Sequence, residues 1–242
     1  MGEAEVDLRA RTLAIHERLV QYYGLPDWRP SLDAVSELVS TILSQNTNDG
    51  NRDLAFNRLR ARFPSWEAVR AAPVTEIEEA VRPAGLAPHK APRIKGALQF
   101  VFEQRGELSL DFLKDWPVDA AREWLTQIEG VGPKTAAIIL LFALGRPAFP
   151  VDTHIFRVTR RLGLIGARTS VEAAHRALEE LVSPEYYFVF HLNVIRHGRQ
   201  MCHPRRPECG VCPVQALCEY YAAVVRPAAA GRTRCQQISG TD

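Results

Sequence analysis

The chain has 242 residues, 46% of them hydrophobic and 24% charged, with a formal net charge of +2. That length can bury a real core as one large domain or two small ones, and the composition is that of a globular protein rather than a disordered one. So small a net charge carries no argument for a nucleic-acid partner, so any basic footprint must be local. No apolar run is long enough to span a membrane.

The first residues, MGEAEVDLRAR, are charged and lack an apolar signal region, so the chain is expected in the cytoplasm. Ile15, Leu19, Tyr22 and Tyr23 recur at helical spacing and predict an amphipathic helix over residues 11–23. Pro26, Trp28 and Pro30 break it. Ser31 or Asp33 then caps a second helix, with Val35, Leu38, Val39, Ile42 and Leu43 on its apolar face. It ends in a polar run, Ser44-Gln45-Asn46-Thr47-Asn48-Asp49. Leu54, Leu59 and Phe63 predict a third helix, and short helices are expected over 65–71 and 74–81. Ile94, Ala97, Leu98, Val101 and Phe102 predict an amphipathic helix after Pro92, with Lys90 in the loop before it.

Pro117 starts the helix that leads into the most informative stretch, residues 124–157. Gly130-Val131-Gly132 favours a turn, and Pro133 suits the first position of a new helix. Residues 135–144 are almost wholly apolar, so that helix is expected to be buried and to end at Gly145. The turn presents free amide N–H groups at a helix N-terminus, an anion site by construction, with the amine of Lys134 beside it. A lysine after a glycine turn is ordinarily a solvated charge. Asp152 heads the next helix as an N-cap, and Ile155, Val158 and Leu162 continue it to Gly163. Ser170 caps a helix bearing Val171, Ala174, Leu178, Leu181 and Val182, and residues 186–195 form another. No segment shows sustained strand-like alternation, so the fold class is all-α. Beyond Arg226 periodicity stops; that tail is expected to be disordered and its Cys235 a free thiol.

The other four cysteines form the array Cys202-x6-Cys209-x2-Cys212-x5-Cys218. In a reducing compartment this reads as a metal site. Four thiolates in so short a span can close around one centre, either zinc or an iron–sulfur cluster, and all four ligand positions would be filled by protein. Arg205 and Arg206 lie between the first two cysteines, with His197 and Arg199 just upstream, and can place guanidiniums against phosphates.

The stretch from Gly130-Val131-Gly132 through Gly145, Pro147 and Pro150 to Asp152 resembles the helix-hairpin-helix motif, Gly/Pro-rich loop and aspartate of base-excision DNA glycosylases. The cysteine spacing matches the [4Fe–4S] loop of the endonuclease III and adenine-glycosylase branches, and Lys134 stands where the endonuclease III branch carries its catalytic lysine. The resemblance covers nearly all of residues 31–221. It implies a six-helix domain over 31–146 that holds the hairpin, and a cluster domain built from 1–30 plus 147–225, leaving 226–242 as tail. It also implies DNA lying across the groove between the domains.

For chemistry, the resemblance implies a bifunctional glycosylase and abasic-site lyase of base excision repair. It would act as a monomer on double-stranded DNA carrying oxidised pyrimidines or abasic sites. Lys134 would attack C1′ and form a Schiff base, and Asp152 would stabilise charge on the sugar or assist proton transfer. Gly130, Val131 and Gly132 would grip phosphates. Gln45 or Asn46 would fill the gap left by the extruded base, and Lys90 would touch DNA.

Two rivals stand beside this reading. The monofunctional branches place a glutamate near the position of Ser40 or a tyrosine at that of Lys134, and neither is present. A helix-hairpin-helix protein that only binds DNA would leave Asp152 and the cysteine array unexplained as a set.

Overall fold

The computed structural model describes residues 3–29 and 32–225. Among them there is no strand, and the α-helices are α1 (Glu3–Tyr23), α2 (Ala34–Ser44), α3 (Asp49–Arg62), α4 (Trp66–Ala71), α5 (Val74–Val81), α6 (Ala87–Arg105), α7 (Val118–Thr126), α8 (Pro133–Ile138), α9 (Thr153–Leu162), α10 (Val171–Leu181) and α11 (Tyr187–Gln200). The fold is therefore all-α, as expected. Ser31, the tail beyond Arg226 and Cys235 lie outside the described residues. No helix among the described residues is long and apolar enough to cross a membrane.

The chain divides into two compact units, Trp28–Pro150 and Met1–Asp27 with Val151–Asp242. In the first, α2 is the buried axis. Leu38, Val39, Ile42 and Leu43 are fully buried, in one apolar cluster with Leu59 of α3, Ile77 and Val81 of α5, Ile94 and Leu98 of α6, and Ile139 and Leu140 beyond α8. Burying each of these side chains contributes roughly 1.5–3 kcal/mol, so this face dominates the unit's stability. Asp33 starts α2 by accepting from the Ser36 amide at 2.9 Å, and Asn48 starts α3 by accepting from Asn51 at 2.9 Å.

Two helices of this unit differ from the sequence expectation. The α6 helix begins at Ala87, not after Pro92. Pro88 sits in the first turn, where no N–H is needed, and Pro92 gives up only the bond to the carbonyl of residue 88. Lys90 is thus helical rather than in a loop. The apolar run after α8 also widens into a π-helical turn, Ile139–Ala143, closed by the Leu144 amide on the Ile139 carbonyl at 3.2 Å. Gly145 follows at φ 64, where a Cβ would lie 3.1 Å from the Trp28 ring, and the Trp28 indole donates to the Leu141 carbonyl at 2.9 Å.

In the second unit α11 packs on both α1 and α9. Ile15, Leu19, Ile155, Val158, Phe190 and Val194 form its apolar interior. The α11 helix runs five residues past its expected end, and in that extension His197 turns inward, its Nδ1 3.1 Å from the Tyr23 hydroxyl. The α9 and α11 helices cross closely at Gly198, where a Cβ would sit 3.1 Å from both the Arg157 guanidinium and His154.

The end of α9 is the most constrained point of this unit. Gly163 adopts φ 76, and a Cβ there would overlap the Glu219 carboxylate, with 1.9 Å to Cδ. Glu219 is held by Arg11 at 2.9 Å, and the same guanidinium donates to the Gly163 carbonyl at 2.8 Å. Left-handed strain alone costs about 1–2 kcal/mol. Gly163→Ala is therefore expected to lower the thermal midpoint by several degrees, read by calorimetry. An unchanged midpoint would mean that Glu219 and the turn relax freely.

Candidate active site and metal centre

The hairpin turn is built as its glycines require. The α7 helix ends at Thr126, Gly130 takes φ 82, and the buried Val131 anchors the turn through its amide on the Ile128 carbonyl at 3.0 Å. Gly132 is the N-cap of α8 and has no side chain, so no side chain satisfies the amides of the first turn. The positive end of the helix dipole lies at this turn. Lys134 is exposed, and its ammonium has no hydrogen-bond or ion-pair partner among the described residues. The apolar helix that follows does not enclose it.

Gln45 and Asn46, adjacent in sequence, have separate tasks. Gln45 turns inward. Its amide donates to the Gly130 carbonyl at 3.0 Å and its oxygen accepts from Arg93 at 3.3 Å, tying the end of α2 to the hairpin. Asn46 is exposed in left-handed backbone, φ 53, and its side chain makes no hydrogen bond among the described residues. Leu86, at the head of α6, shares that combination: φ 51 and 52% exposure. Sequence reasoning missed Leu86. Its signal was a large apolar residue directly after a glycine and before a helix start.

Lys90 does not face DNA. It is 2% exposed, and its ammonium donates to the Leu43 and Ala84 carbonyls, each at 2.8 Å. Burial pushes its pKa down. Enclosed in this way, the ammonium is out of reach of a phosphate at the surface.

In the other unit Asp152 caps α9, accepting from the Ile155 amide at 2.7 Å through Oδ1. Its other oxygen has no hydrogen-bond partner among the described residues. From α9, Arg157 donates to the Cys202 carbonyl at 3.1 Å and the Gly198 carbonyl at 2.9 Å. One turn on, Arg161 reaches Cys202 Sγ at 3.3 Å, the His203 carbonyl at 2.7 Å and the Pro204 carbonyl at 2.9 Å. These two arginines, four residues apart on one helix face, hold the cysteine loop. Arg205 and Arg206 remain exposed and make no ion pair among the described residues, with Arg206 at φ 55.

Cys202, Cys209, Cys212 and Cys218 line one cavity with Val158, Leu162, Met201 and Val214. The four thiols face one space, and a set of four cysteine thiolates accepts either zinc or an iron–sulfur cluster. Burial and the neighbouring thiolates push the Cys209 and Cys218 thiols up, and burial pushes Cys212 up to about 11. Holding these thiols ionised therefore needs a cationic metal centre between them. His197, pushed down to about 4 by burial, is neutral and sets Nε2 3.7 Å from Cys212 Sγ. The residues fit a [4Fe–4S] cluster, which would be anchored through all four thiolates. Cys212→Ser is expected to abolish the cluster's visible absorbance and bring bound iron from about four atoms per chain to near zero; iron content unchanged on metal analysis would exclude this ligand set.

Comparison with known proteins agrees with this geometry. Residues 39–184 match the family of HhH-GPD superfamily base excision DNA repair proteins, and residues 202–218 match the iron-sulfur binding domain of endonuclease III. An endonuclease III of Sulfolobus acidocaldarius is 33% identical over 186 residues, 76% of this chain and 81% of that protein. A candidate DNA glycosylase of Arabidopsis thaliana is 37% identical over 162 residues, 67% of this chain, and this chain spans only 55% of its length. A solved endonuclease III bound non-covalently to DNA superposes with a TM-score of 0.76 at 26% identity, covering 90% of this chain and 98% of that one.

Proposed function

Because the chain belongs to the HhH-GPD superfamily of base excision DNA repair proteins, in the endonuclease III branch with its iron–sulfur domain, we propose that it is a bifunctional DNA glycosylase and abasic-site lyase. Its substrates are oxidised pyrimidines and abasic sites in double-stranded DNA, and it acts as a monomer. The observation that carries this reading is the uncommitted ammonium of Lys134 on the first turn of an uncapped helix, directly after the glycine turn.

The chemistry follows from that placement. With its proton removed, Nζ attacks C1′ of the damaged nucleotide. The C1′–N bond breaks, and the base leaves with the electron pair and takes up a proton. Opening of the sugar gives a Schiff base between C1′ and Nζ. Loss of a C2′ proton then expels the 3′ phosphate by β-elimination, and water frees the lysine. Asp152 is suited to balance positive charge on the sugar or to exchange protons, because its cap bond to Ile155 fixes one oxygen and leaves the other.

The turn amides of Gly130 and Gly132, with Val131 as the buried anchor that holds the turn, supply phosphate contacts together with Arg205 and Arg206. Asn46 and Leu86 fit the part of the protein that enters the base stack, since extrusion leaves a gap for a polar finger and an apolar wedge. The cluster, with every ligand site filled by cysteine, holds the Arg205–Arg206 loop and takes no part in bond breaking.

Borohydride trapping tests the assignment directly. The wild-type chain is expected to trap covalently on duplexes carrying thymine glycol or an abasic site. Lys134→Ala should lose trapping and fall at least about a thousandfold in strand cleavage while still binding DNA. Trapping that survives in Lys134→Ala would move the nucleophile elsewhere. Absence of trapping by the wild type on either duplex would sink the bifunctional reading.

A further inference from the structure

Among the described residues of the Trp28–Pro150 unit, two that are not glycine hold left-handed backbone on exposed turns, Asn46 after α2 and Leu86 before α6. Such conformations cost energy and persist only where the surroundings over-determine them. An exposed leucine in that state brings no burial in return. What holds both turns is the same buried group. The Leu43 carbonyl belongs to the last turn of α2, three residues before Asn46, and the Ala84 carbonyl lies two residues before Leu86. Lys90 donates to both at 2.8 Å from inside α6, and it is the largest of the fully enclosed side chains. A carbonyl at a helix C-terminus favours a cation, so the post is strongest where the α2 dipole ends. Gln45 adds the tie to the Gly130 carbonyl, so the two turns and the hairpin are referred to one framework.

We propose that Lys90 is a positioning residue for duplex opening: its buried ammonium, bridging the Leu43 and Ala84 carbonyls, sets the spacing of Asn46 and Leu86 so that both enter the base stack together. The proposal rests on the DNA glycosylase reading above. It separates Lys90 from the chemistry at Lys134 and from the phosphate contacts. Losing the post therefore impairs filling of the gap in the duplex more than it impairs binding.

The test uses cluster-loaded protein and a duplex carrying a tetrahydrofuran abasic analogue opposite 2-aminopurine. At saturating wild-type protein the fluorescence change reports the side chains that enter the stack. Lys90→Met is expected to bind with a dissociation constant within about threefold of wild type, yet to lose half or more of that amplitude. A merely structural role would lower the thermal midpoint without changing the amplitude of the saturated complex. In the Leu86→Ala background, the further effect of Lys90→Met should largely vanish, because both changes act on one element. An unchanged amplitude, or effects that multiply independently, would overturn the proposal. Should Lys90→Met not fold, Lys90→Gln keeps two N–H donors on a shorter stem and is read by the same amplitude. A wild-type protein that neither binds this duplex nor traps on an abasic site would instead refute the glycosylase reading.

Discussion

Every helix leaves carbonyls at one end and amides at the other without partners, and how each end is satisfied determines what this protein can do. The last turn of α2 is closed from inside by the Lys90 ammonium. The start of α9 is closed by the Asp152 carboxylate, and that of α3 by Asn48. The start of α8 has no such side chain. Glycine stands at its cap, so its amides stay available to an anion from outside. A side-chain cap at position 132 would add local stability and occupy the donors that a phosphate needs.

The α9 helix gives the Val151–Asp242 part of the chain its coherence. Its first residue follows the Asp152 cap, its middle carries Arg157 and Arg161 to the cysteine loop, and its end is locked by Gly163, Glu219 and Arg11. The loop itself has little means of folding alone. Between Cys202 and Cys218 it forms only short 3-10 turns, and Val214 is its single buried hydrophobic residue. Ordering comes from the cluster at its centre and from guanidiniums at its edge, whose planar forks reach two or three carbonyls at once. Lysine in either place would bring the charge without the fork.

Much of this was legible in the sequence because the signals were local. Caps at Asp33, Ser170 and Asp152, the stop at Gly163, the hairpin glycines and the cysteine spacing all depend on near neighbours. Failures came where tertiary context decides. Tyr22, read as part of an apolar face, is 54% exposed, while its neighbour Tyr23 reaches His197. Pro92 looked like a helix boundary and is not one, because α6 already had its start in Leu86 and Pro88. Lys90 looked like a surface charge. Nothing near it in sequence reveals that the carbonyls of residues 43 and 84 converge on its position. The π-helical turn at residues 139–143 has no sequence signal either.

On the reading proposed above, these placements also bear on where selectivity arises. Lys134 is exposed and unpaired, so the protein alone does not wall it off from water. The water around it leaves when a nucleotide is drawn out of the duplex and seated against the hairpin. A base that stays stacked never reaches that point. Damaged or unpaired bases cost least to extrude, which favours them before any contact to the base itself. Discrimination then rests first on the rigid parts that open the duplex, Asn46 and Leu86 on their strained turns, and only second on the amine that completes the reaction. That order explains why the framework behind those turns is built from internally bonded side chains, Lys90 and Gln45, while the nucleophile is left free.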